Sequence, residues 1–282
     1  MLKLPSASYA KFSSILHDVD FNCLFARSVL EGLANGEVWA DSEVDPTLIH
    51  IIHSYGMSLL LIRSENPDRA ELRRHINSCR DRPEALWMQV HPIRHAVVVD
   101  ESLTVELAPP DNPEASSRAQ RHTRSNFIFL QQRYEQLASR LEVPRQFRVR
   151  PMSADDFARP GISVSPHRFW PDAPGFLAKG GGYCVTADEQ VASLAFAAFR
   201  LEDQLEIGVE TYPAFRGMGL AKYAAAAMID YCITEGLQPI WACRKQNAAS
   251  LALALALGFA PSSEGPYYYL PGIRETSGSG HG

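Results

Sequence analysis

Between Leu205 and Glu235 an alternating segment gives way, through a proline and two closely spaced glycines, to a helical one. No other stretch restricts the fold as tightly. Leu205-Glu206-Ile207-Gly208-Val209-Glu210-Thr211 has the period of a strand. Pro213 ends the ladder because it has no N–H to donate. Gly217 and Gly219 follow, and a helix runs from Met218 to Glu235 until Gly236 stops it. The first backbone N–H groups of a helix have no intrahelical acceptor, and the dipole adds roughly half a positive charge there. Such a terminus binds phosphate. Glycines lack Cβ and let the backbone approach the phosphate oxygens, and Arg216 sets a cation at the rim. The pattern is neither a P-loop, which needs Gly-Lys-Ser/Thr, nor a dinucleotide fingerprint, which needs a third glycine. Taken alone it reads equally as a glycine-rich turn.

The rest of the chain narrows the classes. At 282 residues it is long enough for two domains. Hydrophobic residues make up 46% and charged residues 21%, as in a soluble globular protein. No apolar run approaches the ~20 residues of a membrane span. The start, Met1 to Asp20, lacks the apolar stretch of a signal peptide. The expectation is a cytoplasmic protein with no membrane partner. Cys23, Cys79, Cys184, Cys232 and Cys243 are scattered with no Cys-x-x-Cys, and we read them as buried thiols with no histidine at ligand spacing and no metal. The net charge is -5: 15 Lys+Arg against 19 Asp+Glu up to Val143, and 12 against 13 after it. Neither half is basic enough for a nucleic-acid partner. The eight arginines from Arg118 to Arg150 read as a solvated helix and linker.

The N-terminal half reads as mixed α and β. Helices are expected over Phe21–Leu33, Pro67–Arg80 and Gln131–Leu141. Strands are expected at Glu37–Ala40 and Asn126–Leu130, and Ile49–Ile62 is an apolar run broken at Tyr55-Gly56. Ala96–Val99 and Ser102–Leu107 look like two strands around an Asp100-Glu101 turn, followed by a Pro109–Pro113 loop. Pro144 marks a boundary, which gives residues 1–143 as a smaller α+β domain and 144–274 as a second domain. Residues 275–282, rich in Gly and Ser, form a flexible tail. In the second domain Gln146–Met152 is a strand and Ser153 starts a helical turn. His167–Leu177 is a helix interrupted by prolines, and Tyr183–Ala187 and Gln190–Phe199 pair about Asp188-Glu189. After the junction come a strand at Pro239–Cys243, a helix at Ala248–Leu257 closed by Gly258, and a last strand at Tyr267–Leu270.

In that order the stretch from Leu205 to Leu270 closely resembles the core of the GNAT superfamily, the general N-acetyltransferases. The signature Gln/Arg-x-x-Gly-x-Gly/Ala is met by Arg216, Gly219 and Ala221. The lead-in is Val209, Thr211 and Pro213, and the later strand, Asn and Gly-Phe are Ile240–Cys243, Asn247 and Gly258-Phe259. Trp241-x-Cys243, Asn247-x-x-Ser250 and Ala254 before Gly258-Phe259 are similar to the bacterial subgroup that carries an extra N-terminal domain. The implied fold is mixed α/β, a mixed sheet with flanking helices.

The resemblance implies acetyl-CoA as co-substrate and an amine as acceptor. The amides of Gly217, Met218, Gly219, Leu220 and Ala221 would hold the pyrophosphate. The backbone of Val209 to Thr211 would pair with the pantetheine arm, and an N–H near Thr211 would polarise the thioester carbonyl. Asn247 and Ser250 would contact the cofactor from the next helix, where Asn247 is also a natural N-cap. An attacking amine must be neutral although its reference pKa is about 10.4, so a base is needed. Glu210 and Glu206 are the catalytic candidates, at i and i+4 on one strand face. As surface charges on one sheet face they would be equally ordinary.

Many family members carry a Tyr four residues before Gly-Phe, where this chain has Ala254. The thiolate would then rely on Ser250, Cys243 or one of Tyr267, Tyr268 and Tyr269, or leave without an acid. That keeps a non-catalytic acyl-CoA-binding module open, along with a longer acyl donor. For the N-terminal half three roles stand open: a wall of the acceptor site, a worn-down second copy of the fold without its loop signature, or the interface of a homodimer.

Overall fold

The computed structural model describes residues 1–103, 107–109 and 117–273. The first set of elements is β1 (Leu2–Lys3), α1 (Leu24–Leu30), β2 (Gly36–Ala40), β3 (Leu48–His53), β4 (Met57–Ile62), α2 (Arg69–Cys79), β5 (Leu86–His91), α3 (Ala96–Leu103) and β6 (Gln120–Phe129). After α4 (Gln131–Ala138) the second set follows. It comprises β7 (Phe147–Pro151), α5 (Ala173–Ala178), β8 (Gly182–Ala187), β9 (Gln190–Leu201), β10 (Gln204–Thr211), α6 (Ala221–Thr234), β11 (Gln238–Arg244), α7 (Ala248–Ala256) and β12 (Phe259–Leu270).

The two sets repeat one topology. β1, β2, β3 and β4 pair antiparallel in sequence, and β4 pairs parallel with β5. β7, β8, β9 and β10 do the same, and β10 pairs parallel with β11. One helix follows the first strand of each set, α1 or α5, and one crosses over between the parallel pair, α2 or α6. Each set ends on a helix and a long strand. That last strand is divided between the units: β6 passes from the first to the second at Asn126, and β12 from the second to the first at Glu264. The final strand of the chain accordingly pairs antiparallel with β5, Tyr267 opposite Gln89. The compact units divide at Ser125 and Asn126 rather than at Val143/Pro144, and Arg244–Gln246 falls with the first unit.

In the first unit β3 and β4 are buried on both faces, and Leu72, Ile76 and Cys79 of α2 close one side of the core with Val99 and Leu103 of α3. α2 starts at Asp68, whose carboxylate accepts from the N–H groups of Ala70 and Glu71. In the second unit α6 lies against β8, β9 and β10, with Ala224, Ala225 and Met228 fully buried. The opposite face is a layer of aromatic rings, with Phe169 5.5 Å from both Phe196 and Phe199. A capping box joins Ser153 and Asp156, and Arg150 and Arg159 hold the Asp156 carboxylate.

Three local expectations change. Ala96 to Leu103 is one helix, α3, in place of a strand, turn and strand. Its β-branched residues suggest strands, yet only Ala96, Val99 and Leu103 are buried, at helical spacing, while Val97 is 60% exposed. β5 is a strand that the sequence did not announce. Between His167 and Leu177 a single 3-10 turn, Pro166–Arg168, precedes the short α5, which Asp172 caps at the Gly175 N–H. The β8–β9 turn agrees with expectation: Asp188 and Glu189 have φ of 44° and 67°, as a tight hairpin turn demands. Residues 104–106, most of the Pro109–Pro113 loop and the 275–282 tail lie outside the described residues. Among the described residues no helix is long and apolar enough to cross a membrane.

Candidate functional site

β10 and β11 hydrogen-bond only from Gln204 to Glu206 against Gln238 to Ile240. Beyond Glu206 both strands continue, but their ladder stops. β10 stays paired with β9 through Thr211, and the Tyr212 N–H donates to the Ala192 carbonyl. Antiparallel pairing alternates. Gly208, Glu210 and Tyr212 therefore turn their backbone groups to β9, and Val209 and Thr211 turn theirs to the open edge. A cleft of about 640 Å³ occupies this side of the strand, lined by Val209, Glu210 and Thr211, by the loop from Phe215 to Lys222 apart from Met218, and by Trp241, Asn247, Ser250 and one face of α7.

The loop between β10 and α6 has an unusual backbone. Gly217 and Gly219 have φ of 80° and 70°, in the left-handed region that other residues enter only with strain. A Cβ on Gly217 would meet nothing within 4 Å. The glycines are required by backbone conformation more than by crowding. α6 then begins at Leu220 with no side-chain cap. The amides of Gly217, Met218, Gly219 and Leu220 donate to no group among the described residues. Unpartnered donors at a helix start, in an open cleft, favour a phosphate. The corresponding crossover of the first unit differs in kind: Arg63 to Asp68 holds no glycine, Pro67 lacks an N–H, and Asp68 takes the first helical amides for itself.

Glu210 stands at the mouth. Its Oε1 accepts from the Thr211 N–H at 3.1 Å and from Arg216 Nη2 at 3.3 Å, and its Oε2 accepts from Ser163 Oγ at 3.1 Å. Arg216 Nε also donates to the Thr211 carbonyl at 3.1 Å. The Thr211 N–H, expected to face the thioester, is thus held by the neighbouring carboxylate. Glu206 is elsewhere: it is 6% exposed, within the paired part of β10, and does not line the cleft. The ring of Phe196 covers Gly208 between them, so close that a Cβ would sit 2.7 Å from it. Met218 is exposed and points outside the cleft lining.

Asn247 caps α7, its Oδ1 accepting from the Ser250 N–H at 3.1 Å. The Ser250 hydroxyl accepts from Trp241 Nε1 at 3.2 Å. Ala249, Ala252, Leu253 and Ala256 turn to the cleft at helical spacing. Ala254 is fully buried on another face of α7 and does not line it. A tyrosine at that position would enter the core of this chain. Tyr268 is spent elsewhere, donating to Asp100 Oδ1 at 2.7 Å, and Tyr267 and Tyr269 pack on Trp87. Cys243 is buried and outside the lining. The residues that sequence reasoning passed over are Phe215, Lys222, Trp241 and the small-residue face of α7. The run Ala248-Ala249-Ser250-Leu251-Ala252 carried a signal in its scarcity of large side chains.

Comparison with known proteins gives the lineage. The family described as GNAT acetyltransferase matches residues 18–268. An uncharacterized N-acetyltransferase of Bacillus subtilis, YdfB, is 34% identical over 101 residues, 36% of this chain. That match covers 39% of the relative, so the chain spans about two fifths of its length. A GCN5-related N-acetyltransferase-like protein of Streptococcus suis superposes with a TM-score of 0.68 at 21% identity, over 94% of this chain and 99% of that one. A tandem GNAT protein from the clavulanic acid biosynthesis pathway superposes with a TM-score of 0.61 at 11% identity, over 96% and 97%. These two likenesses are of fold, and the second accords with the repeated topology. With a family match across nearly its whole length, the chain belongs to the GNAT acetyltransferase family.

Proposed function

We propose that the cleft binds acetyl-CoA and that the protein transfers its acetyl group to an amine by direct attack on the thioester. The observation that carries this reading is the set of unpartnered amides from Gly217 to Leu220, at an uncapped helix start, opening onto the unpaired edge of β10. The diphosphate would rest on those amides, with Arg216 and Lys222 as cations beside it. The pantetheine arm would lie along Val209 and the small-residue face of α7, with Asn247 and Ser250 at its flank.

Glu210 is the proposed base. The amine nitrogen attacks the carbonyl carbon, the C–S bond breaks, and the amine proton passes to the carboxylate directly or through water. In the cleft as it stands, Glu210 Oε1 covers the Thr211 N–H. Turning the carboxylate toward the amine would therefore do two things at once: deliver the base, and release an N–H to the carbonyl oxygen as negative charge develops there. Glu206, sheltered within the ladder, is set aside as base.

Calorimetric titration with coenzyme A tests the cofactor half. Gly219→Glu puts a side chain and a negative charge on the proposed diphosphate seat and is expected to abolish binding. An affinity equal to wild type would remove the loop from the account. Release of free thiol from acetyl-CoA with a panel of small amines and peptides tests the transfer. A second reading, an acyl-CoA-binding module without turnover, is favoured by one observation: no residue of the α7 cleft face except Ser250 can give a proton to the departing sulfur. It predicts a thermal shift with acetyl-CoA and no thiol release with any amine.

A further inference from the structure

The first unit carries a polar cluster in a place where its own pattern asks for carbon. Leu48, His50 and Ile52 alternate on one face of β3, and Leu48 and Ile52 belong to the hydrophobic core against α2. His50 lies between them with no exposed surface. From α2 come His75 and Cys79, one helical turn apart and 5% and 4% exposed. The sequence reading that put no histidine at ligand spacing from a cysteine is corrected here, because four residues along a helix place two side chains side by side.

His50 Nδ1 is 2.8 Å from His75 Nε2, and Cys79 Sγ is 3.8 Å and 3.9 Å from these nitrogens. All three ligand atoms lie within 4.8 Å of one another. A metal held at about 2.0–2.1 Å from each nitrogen and about 2.3 Å from sulfur sets N···S at roughly 3.5–3.8 Å and N···N at roughly 3.3–3.6 Å. The sulfur distances lie at the upper end of that range or about 0.1 Å beyond it, and the two ring nitrogens need to part by roughly 0.5–0.8 Å. The 2.8 Å contact between the rings is one N–H···N hydrogen bond, so one of the two nitrogens already offers a lone pair and the other does so once its proton shifts to the far nitrogen of the same ring.

We propose that His50, His75 and Cys79 form a binding site for one thiophilic d10 cation, Zn²⁺ or Cu⁺, which ties β3 to α2. Two imidazoles and a thiolate are the donors these ions select. On binding, the Cys79 sulfur gives its proton to solvent and bonds the metal, the proton shared between the two rings moves to the far nitrogen of its own ring, and Nδ1 of His50 and Nε2 of His75 then donate lone pairs. Three ligands complete a trigonal set for Cu⁺, and Zn²⁺ takes one more. The site shares no residue with the cleft of the second unit.

The purified full chain should carry one such ion, and elemental analysis by mass spectrometry says whether it is zinc or copper. Stripping it with a chelator should lower the melting temperature, and adding back Zn²⁺ or Cu⁺ should restore it. Co²⁺ added to the stripped chain should give a sulfur-to-metal charge-transfer band. His50→Leu, which completes the apolar face of β3, should keep the fold by circular dichroism and lose both the ion and the band. Metal-free protein that takes up none of these ions, or a His50→Leu chain that binds as wild type does, overturns the proposal. Should that variant not fold, X-ray absorption on the wild-type chain decides. Sulfur and nitrogen around the metal support the site, and oxygen alone rejects it.

Discussion

At the scale of the residue, the strongest contrast is between Glu206 and Glu210. Strand alternation places both on one face, and on paper they are equivalent. They part because β11 stops pairing after Glu206, which leaves one carboxylate inside a ladder and the other at an open edge. Where a ladder ends depends on two strands distant in sequence, so no local pattern tells them apart. Glu210→Gln should therefore lower turnover at least tenfold with little change in coenzyme A affinity, since the amide still reaches Ser163 and Thr211. Wild-type rates across pH would dismiss Glu210 as base. Gly217 makes a separate test of backbone strain. Gly217→Ala has open space yet must hold φ of 80°, and should cost about 1 kcal/mol in urea unfolding. His53 bears on stability through pH. Burial lowers its imidazole from 6.5 to about 4. The unfolded chain binds that proton first as pH falls, so this contribution is whole above about 6.5 and shrinks toward 4, by at most about 1.4 kcal/mol per unit. Urea midpoints at neutral and mildly acid pH should show the loss, and His53→Gln should make the slope shallower. Equal slopes would refute it.

Elements were legible in proportion to how local their signals are. The glycine-rich junction, the Asn247 cap and the Asp188-Glu189 turn are written in adjacent residues, and each forms in the expected place. α3 was not, because three successive valines favour a strand until α2 and the sheet supply a surface for a helix with one buried face. β5 was not, because Leu86 to His91 mixes large and polar residues and is defined by neighbours on both sides. The two crossover helices show how little sequence separates an open helix start from a closed one. α2 closes its own amides with Asp68, and α6 starts with no side-chain cap. Asp68→Ala should cost about 1 kcal/mol of stability, read as a lower melting temperature, with acetyl-CoA binding untouched. A stability equal to wild type would mean that water serves those amides as well as the carboxylate does.

For the whole molecule, the repeated topology was the least visible feature, since the crossover of the first set, Arg63 to Asp68, holds no glycine and lacks the one motif that could reveal it. The passage of each last strand from one unit into the other was invisible altogether. Its physical cost is that neither half of the sequence holds a complete unit. Tyr134, before the Pro144 boundary, donates from its hydroxyl to Asp230 Oδ1 at 2.6 Å within the second unit, and Phe129 packs on Phe259 at 5.1 Å. A fragment of residues 144–274 should lack a cooperative melt that a fragment beginning at Asn126 retains in part. A sharp transition in the shorter piece would show those contacts to be dispensable. That passage also imposes an order on biosynthesis. Strand β5 must wait, one edge unpaired, until Tyr267 to Leu270 have left the ribosome. A nascent chain with an open, apolar sheet edge invites pairing with other chains. Slow translation or early termination before Leu270 should therefore be read in the cell as dependence on chaperones.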